Sequence, residues 1–301
     1  MQEIEFKFQV PVKKRKALQK AFTLLKAEPI HLAAQYFDTA DQTLAKHCIA
    51  IRRRQENDEW KQTFKAVNSA KVLSRLELEF DIAPPETTTL DLDNYKKDYS
   101  AIYKKLKRAL GLPLPTLELL FETNIQRLRV LQDVGSSTVE IALDIGKIFE
   151  EQNSVDIFEI EFELKQGSIE DLIAFIRPWV QKYQLSLDTH SKSDYGLLAV
   201  RQQNCFPAQY QTLLLLNRSS SETEALQSIV ANCLQHLLPN ASSIARQQYS
   251  TEHVHQARVA IRRLRTALKS FAAWSDAIQP HWKAELTTIF QALGGTRDID
   301  A

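Results

Sequence analysis

Short segments in the first 200 residues alternate strictly between hydrophobic and polar positions. Successive side chains of a β-strand point to opposite faces, so this period of two predicts strands with one apolar and one polar face. In the first segment, EIEFKF, two acids and a lysine oppose three apolar residues: Glu3, Glu5 and Lys7 against Ile4, Phe6 and Phe8. Similar segments surround Arg52, Lys65, Glu79, Asp144 and Glu161. We therefore predict an antiparallel sheet of about eight strands.

The polar face of this predicted sheet is ionic, because strand after strand places Arg, Lys, Glu or Asp on it. Like charges at alternate positions repel, as Glu3 and Glu5 do about 7 Å apart, unless counter-charges lie nearby. Two arrangements fit this pattern. In one, the ionic face is simply solvated, which is common for antiparallel sheets. In the other, the sheet closes into a barrel whose apolar sides pack under helices and whose ionic sides line a lumen suited to a polyanion and its metal ions.

Helical periodicity appears between these strands. Pro11 opens a helix in which Leu18, Phe22 and Leu25 share one face. Further helices are predicted from about Asp91 to Leu110, with Asp91 or Asp93 as the N-cap, and from about Ser168 to Tyr183. These amphipathic helices would cover the apolar face of the sheet.

The last hundred residues are predicted to be helical throughout. Ser221 and Glu224 have the spacing of a capping box, which predicts a helix from there to Pro239. A second helix, Thr251–Trp274, has an apolar stripe and, about 100° around its axis, a basic stripe formed by His255, Arg258, Arg262 and Arg265. A solvated basic edge is the usual interpretation of such a stripe. Arg263 lies off the stripe.

Composition narrows the class of protein. The chain has 301 residues and is 44% hydrophobic and 25% charged, which fits two globular domains, predicted over 1–200 and 217–301 with a linker over 201–216. The net charge of +1 indicates neither nucleic acid nor a membrane as a partner. No apolar run is long enough to span a bilayer, so we expect a cytoplasmic protein in which the three cysteines are free thiols. With no glycine-rich phosphate loop, bound phosphate would be held by side chains.

The ordered series of strand motifs resembles the CYTH domain family, the triphosphate tunnel metalloenzymes. The motifs are EIEFK at the start, then YFDT, IRRR, TFK, SRLELE, Arg127, ALDIG, EIEFELK and SKSDYG, and they cover residues 1 to about 200. The resemblance implies an α+β fold in which a closed antiparallel eight-stranded β-barrel, or tunnel, is covered by helices. It also favours the barrel over the solvated sheet.

The resemblance further implies the residues of an active site. Two Mg²⁺ or Mn²⁺ ions would be held by carboxylates, which suit hard cations: Glu3, Glu5, Asp144, Glu159, Glu161 and Glu163. Basic residues would bind the triphosphate: Lys7, Arg52, Arg54, Lys65, Arg75, Arg127, Lys165 and Lys192. The catalytic residues would be Glu3, Glu5, Lys7 and Lys65. Tyr36 and Asp38 of YFDT are interpreted as structural or as supports for the residues that contact the substrate.

The segment HQARVAIRRLR, followed by GGTRDID at Gly294 to Asp300, resembles the CHAD domain, an all-α domain of helical hairpins. Because CHAD domains are more than twice as long as residues 217–301, we expect this chain to contain only the N-terminal part. The family is linked to binding of inorganic polyphosphate. The implied ligands are His255, Arg258, Arg262, Arg265 and Arg297.

Together these features predict a metal-dependent hydrolase that cleaves tripolyphosphate to pyrophosphate and phosphate. Thiamine triphosphatase and class IV adenylate cyclase are alternatives within the same family. A different class, a polyphosphate-binding protein without activity, would need the basic residues but would have no use for the acidic strands.

Overall fold

The computed structural model describes residues 4–67, 75–87, 89–90, 92, 95, 99–151 and 153–294. The chain divides into two compact units, Met1–Ser186 with His190–Gln203, and Leu187–Thr189 with Asn204–Ala301. The boundary predicted from the sequence, between residues 200 and 201, falls close to the end of the first unit.

A single antiparallel sheet dominates the first unit. Its described strands are β1 (Glu5–Gln9), β2 (Glu28–Asp38), β3 (Ile49–Glu56), β4 (Glu59–Val67), β5 (Arg75–Ile82), β6 (Thr89–Leu90), β7 (Leu117–Val134), β8 (Ser137–Glu150), β9 (Asn153–Gln166) and β10 (Ser186–Leu187). Their order is β10-β1-β9-β8-β7-β2-β3-β4-β5, and β6 pairs with β7. The predicted antiparallel α+β architecture is therefore confirmed.

The sheet differs from the predicted barrel in closure and in strand number. Among the described residues, no hydrogen-bonded pairing joins β5 to β1, because β1 pairs with β10 on its outer side and β5 ends the order. Ten strands are described instead of eight. The two additional strands, β6 and β10, have two residues each, which is too short for an alternating pattern to reveal.

Helices cover the apolar face of this sheet. The described helices of the first unit are α1 (Val12–Leu24), α2 (Thr43–Lys46), α3 (Ser100–Leu110), α4 (Ile169–Tyr183) and α5 (Lys192–Val200). Phe162 of β9 contacts Phe8 and Trp179, with ring centroids 5.9 and 5.7 Å apart, and Trp179 also contacts Phe22 of α1. The apolar side chains therefore lie beneath α1 and α4, as the alternation predicted.

The helix boundaries follow the capping residues. Ser168 caps α4 by accepting a hydrogen bond from the backbone N–H of Asp171, and the helix ends at Tyr183, close to the predicted bounds. The helix predicted from Asp91 is described only from Ser100, because Asp91 and Asp93 lie outside the described residues.

The second unit contains α6 (Glu222–Ala245), α7 (Thr251–Ser270), a 3₁₀ turn (Ala272–Trp274) and α8 (Pro280–Ala292). The predicted capping box of Ser221 and Glu224 begins α6. The prediction that this helix ends at Pro239 is wrong, since α6 continues to Ala245. Just past the proline, the Asn240 side-chain amide donates to the His236 carbonyl at 2.7 Å and stabilises this turn. None of the described helices has the length and apolar character that a membrane span requires.

Candidate active site on the ionic face of the sheet

Strand register places the acidic and basic residues of four neighbouring strands in rows. Glu159 of β9 lies opposite Gln9 of β1 and Asp144 of β8, and Asp144 lies opposite Arg127 of β7. In the adjacent row, Glu161 lies opposite Lys7. Because side chains two apart on a strand share a face, these residues all lie on the ionic face.

Three carboxylates form the centre of this region, and we refer to Asp144, Glu159 and Glu161 as the carboxylate trio. One carboxylate oxygen from each of the three residues lies within 4.8 Å of the corresponding oxygens of the other two. Asp144 and Glu159 are fully buried. Burial acts to raise the pKa of Asp144, but the charges of Arg127 and Lys192 outweigh it and the pKa is lowered. Likewise, Lys192 and Arg127 overcome burial and hold the pKa of Glu161 well below its usual value.

Lys192 lies between the three carboxylates. Its Nζ is 2.7 Å from Asp144 Oδ2, 2.5 Å from Glu159 Oε1 and 2.8 Å from Glu161 Oε1. The side chain projects from the first residue of α5, whose start is fixed by the capping box of Ser191 and Asp194. Lys192 was predicted to bind the triphosphate. In the structure its ammonium pairs instead with all three members of the carboxylate trio.

Two further cations border the carboxylate trio. Arg127 forms a two-pronged pair with Asp144, from Nε to Oδ1 and from Nη2 to Oδ2, both at 2.6 Å, and its Nη2 also donates to Glu161. Lys7 Nζ lies 3.3 Å from Glu159 Oε2 and donates to the carbonyl of His190. Three cations thus balance the three carboxylates, which explains why the pKa values of the buried Asp144 and Glu161 are lowered.

The carboxylate trio fits the binding of a hard divalent cation. All three donors are oxygens, the ligand type that Mg²⁺ and Mn²⁺ prefer. Glu159 Oε1 is buried and receives no hydrogen bond of good geometry, although the Lys192 ammonium lies beside it. A buried carboxylate oxygen without a hydrogen bond is the kind of acceptor that a metal ion satisfies.

Two more of the predicted acidic ligands, Glu5 and Glu163, lie in the next row. Glu163 is opposite both Glu5 and Glu140. Lys165 Nζ pairs with Glu163 Oε2 at 2.6 Å and with Glu140 Oε2 at 3.5 Å. Glu163 and Lys165 are therefore partners of each other, beside the carboxylate trio. Glu140 was not predicted to be a site residue, although its alternation with Asp144 along β8 places it on the same face.

A second cluster lies on β3, β4 and β5, and we call Arg52, Arg54 and Lys65 the basic wall. Arg54 Nη2 is 3.0 Å from Glu79 Oε2, and Lys65 Nζ is 2.8 Å from Glu77 Oε2. No role was predicted for Glu77 and Glu79, the acids of SRLELE. Both alternate on the ionic face, directly across from Lys65 and Thr63, and this alternation was the signal that could have identified them.

The basic wall and the cations paired with the carboxylate trio act on the same side chains. Burial acts to raise the pKa of Tyr36, but Arg52, Lys192 and Lys65 outweigh it and lower that pKa. Burial lowers the pKa of Arg54, and the charges of Arg52 and Arg127 lower it further. Lys192 and Arg127 thus interact with side chains that also interact with the basic wall, so the two clusters belong to one ionic region.

The YFDT residues divide between two roles. Asp38 accepts hydrogen bonds from the backbone N–H groups of Leu44 and Ala45 at 2.8 and 2.9 Å, which caps α2 and supports a structural interpretation. The Tyr36 hydroxyl instead accepts a hydrogen bond from Arg52 Nη1 at 3.4 Å. Tyr36 therefore contacts the basic wall, as expected of a residue that supports a substrate-binding arginine.

Some predicted residues lie outside the described part of the chain. Glu3 and Arg297 are not described, and for Arg75 only the backbone of β5 is. Their roles stay predictions.

The predicted polyphosphate ligands of α7 differ in their surroundings. His255 and Arg262 are exposed. The guanidinium groups of Arg258 and Arg265 lie 4.5 and 5.7 Å from the ring centroid of Phe290 in α8. Arg263 donates to Asn232 Oδ1 at 2.7 Å, so this off-stripe arginine joins α7 to α6.

Comparison with protein families matches this chain to two domain models. The CYTH domain model matches residues 1–194, which hold the sheet and its ionic face, and the CHAD domain model matches residues 228–301. The chain therefore belongs to the CYTH domain family and carries a CHAD domain in its C-terminal part.

Individual relatives share parts of the chain. An inorganic triphosphatase from Haemophilus influenzae is 32% identical over 206 residues, which cover 66% of this chain and 55% of that protein. The chain thus spans about half the length of this curated relative. Among solved structures, a candidate adenylate cyclase from Bacillus halodurans has a TM-score of 0.47 at 21% identity, covering 64% of this chain and 96% of that one. A candidate adenylyl cyclase from Hippeastrum with a dominant triphosphatase activity has a TM-score of 0.46 at 18% identity, with coverages of 67% and 96%.

Proposed function

We propose that the first unit is a metal-dependent hydrolase that cleaves inorganic triphosphate to pyrophosphate and phosphate. The observation that carries this proposal is the pairing, in one ionic region, of a buried carboxylate trio with a basic wall. A substrate that is both highly anionic and metal-chelating matches such a region. The similarity to an inorganic triphosphatase supports the choice of inorganic triphosphate.

The carboxylate trio would hold Mg²⁺ or Mn²⁺, and Glu5 is the described residue best placed to extend it toward a second ion. When bound, such ions neutralise the phosphate chain and lower the pKa of a bound water. Arg127 and Lys192 lower the pKa values of Asp144 and Glu161 and so keep these two carboxylates ionised before the ion arrives, which makes them ready ligands. Charged ligands are required because protonated carboxyls bind hard cations poorly.

The basic wall would bind the phosphate oxygens. Arginines suit this task because the guanidinium fork can donate two parallel hydrogen bonds to one phosphate group. Arg52, Arg54 and Lys65 would orient the chain of phosphates so that water attacks a terminal phosphorus in line with the leaving oxygen. A covalent protein nucleophile is not needed for this reaction.

The first test is phosphate release from tripolyphosphate, ATP and thiamine triphosphate in the presence of Mg²⁺ or Mn²⁺. We expect tripolyphosphate to be the preferred substrate and expect Glu5→Ala and Glu161→Gln to lose most of the activity. Asp156→Asn is the matched control, because Asp156 is an exposed acid on β9 that pairs with Lys147. The absence of release from all three substrates would contradict the proposal, and cyclic AMP formed from ATP would replace it with a cyclase.

The main rival is a binding protein without activity. Such a protein would need the basic wall but would not benefit from three carboxylates gathered within 4.8 Å, because carboxylate oxygens suit a metal ion and not a polyanion. Metal-independent binding of tripolyphosphate with no turnover under any metal would favour this rival.

For the helical unit, we propose binding of inorganic polyphosphate through the basic stripe of α7. The exposed His255 and Arg262 would contact phosphate directly, together with the cationic edges of Arg258 and Arg265. Replacing Arg258 and Arg262 by Gln should weaken polyphosphate binding to the full chain, while Lys283→Gln on the exposed face of α8 should not. Equal affinity of all three proteins would remove these arginines from the site.

A further inference from the structure

Thr63 is a fully buried residue in the middle of the basic wall. It lies on β4 directly opposite Arg52 of β3 and Glu79 of β5. A threonine here lies between Lys61 and Lys65 on the ionic face and carries no charge of its own. Its hydroxyl must find partners because a buried polar group without hydrogen bonds is costly.

The partners of the hydroxyl are the neighbouring charged groups. Thr63 Oγ1 donates to Glu79 Oε2 at 3.0 Å and accepts from Arg52 Nε at 3.3 Å. The same oxygen of Glu79 accepts from Arg54 Nη2 at 3.0 Å. One continuous chain of hydrogen bonds therefore runs from Arg52 through Thr63 and Glu79 to Arg54.

This chain of hydrogen bonds engages one nitrogen of each arginine. Arg52 is held at Nε, and its Nη1 also donates to the Tyr36 hydroxyl at 3.4 Å. Arg54 is held at Nη2. An arginine side chain has several rotatable bonds, and fixing it in advance reduces the entropy that anion binding would otherwise cost.

Charge compensation alone does not account for the arrangement. Arg54 has a second carboxylate, Glu56, with Oε2 3.4 Å from its Nη2. The particular contribution of Glu79 is thus its simultaneous contact with Arg54 and with Thr63, which links the two arginines.

We propose that Thr63 and Glu79 are positioning residues that orient Arg52 and Arg54 to bind a triphosphate. This inference deepens the proposed function and rests on it. Neither residue would touch the reacting atoms, and their effect would reach the substrate through the two guanidinium groups.

The test combines direct binding with kinetics on the full chain. Calorimetric titration of tripolyphosphate without metal measures the anion site even if the enzyme is inactive, so failure of the proposed function and failure of this inference are distinguishable. Thr63→Val removes the hydroxyl at nearly constant volume and should raise both Kd and KM about tenfold, while kcat changes less. Thr63→Ser, which restores the hydroxyl, should return both values to within about twofold of the wild type.

Glu79→Gln provides a second variant in case Thr63→Val does not fold. It should raise Kd in the same direction, whereas Asp81→Asn, an exposed acid on the same strand, should leave Kd unchanged. The inference is overturned if Thr63→Val and Glu79→Gln bind tripolyphosphate like the wild type. It is equally overturned if Thr63→Ser binds as weakly as Thr63→Val, since a positioning hydroxyl would then have no role.

Discussion

The carboxylate trio and the basic wall occupy the same face of one sheet but are built in different ways. In the carboxylate trio the acids are the buried partners, with Asp144 and Glu159 at 0% side-chain exposure, and Lys192 and Arg127 close over them. In the basic wall the acidic partners are partly accessible, since the side chains of Glu77 and Glu79 are 20% and 29% exposed. The two regions therefore differ in the burial of their acids.

This difference assigns different ligands to the two regions. Buried carboxylates that are kept ionised by neighbouring cations favour a small cation that can replace those neighbours. Arginines and lysines whose carboxylate partners are partly exposed favour an anion that can compete with those partners. A metal–triphosphate complex presents both charges to one ionic region.

The largest expected effect is the loss of Asp144. In Asp144→Asn, the charge that faces both Arg127 and Lys192 disappears, and breaking such a buried pair costs about 3–5 kcal/mol of unfolding free energy. We expect triphosphatase activity to fall by at least about 100-fold, the typical cost of losing one electrostatic group in an active site. Denaturant unfolding and phosphate release measure the two effects. Wild-type activity in this variant would separate the carboxylate trio from the reaction.

A smaller effect tests the position of Lys192. Because its ammonium lies where the three carboxylates converge, it should compete with a divalent cation for them. Lys192→Met should therefore bind Mn²⁺ about tenfold more tightly in the absence of substrate, a difference of about 1.4 kcal/mol. Titration calorimetry measures this affinity, with Lys165→Met as the control because Lys165 pairs with Glu163 and Glu140. Weaker Mn²⁺ binding by Lys192→Met would contradict the competition.

The pH dependence of stability should separate the regions further. The pKa of Glu161 is well below its usual value in the folded protein, so its stabilising contribution is present at neutral pH and is lost as the pH falls below the unfolded value of about 4.3. Glu161→Gln should be less stable than the wild type at pH 7. The gap in thermal midpoint should narrow as the pH falls from about 4.3 toward the folded pKa. A constant gap from pH 7 to pH 2.5 would show that ionisation of Glu161 does not stabilise the fold.

The smallest effect on activity is expected at Asp38. Its carboxylate caps α2 and contacts neither region, so Asp38→Ala should lower the unfolding free energy by about 0.5–2 kcal/mol and leave KM unchanged. Thermal unfolding and initial rates below the melting temperature test this pair of outcomes. A large rise in KM would mean that the YFDT aspartate belongs to the site.

Much of the site follows from alternation in the sequence. A period of two is enough to place Lys7, Asp144, Glu159 and Glu161 on one face, and the ordered motifs indicate the family that the domain match confirms. The two-residue strands β6 and β10 could not be predicted because they contain no full period. Closure of the barrel is not confirmed among the described strands, and strand patterns reveal faces but not which edges pair.

Other features depend on contacts between distant segments. Lys192 follows a helix cap and is 48 residues along the chain from Asp144. Only the fold brings its ammonium to within 2.7 Å of that carboxylate. The role of Thr63 is similar, because a neutral residue between two lysines gives no charge signal. Its importance emerges when Arg52 and Glu79 are seen to share its hydroxyl.

The most direct test of the joint action of the two regions is ³¹P nuclear magnetic resonance of tripolyphosphate incubated with the wild-type chain and Mg²⁺ or Mn²⁺. We predict that pyrophosphate and phosphate appear in equal amounts, and that the reaction stops when the metal is chelated. Unchanged tripolyphosphate in the presence of either metal, under conditions where the chain is folded, would contradict the proposed function.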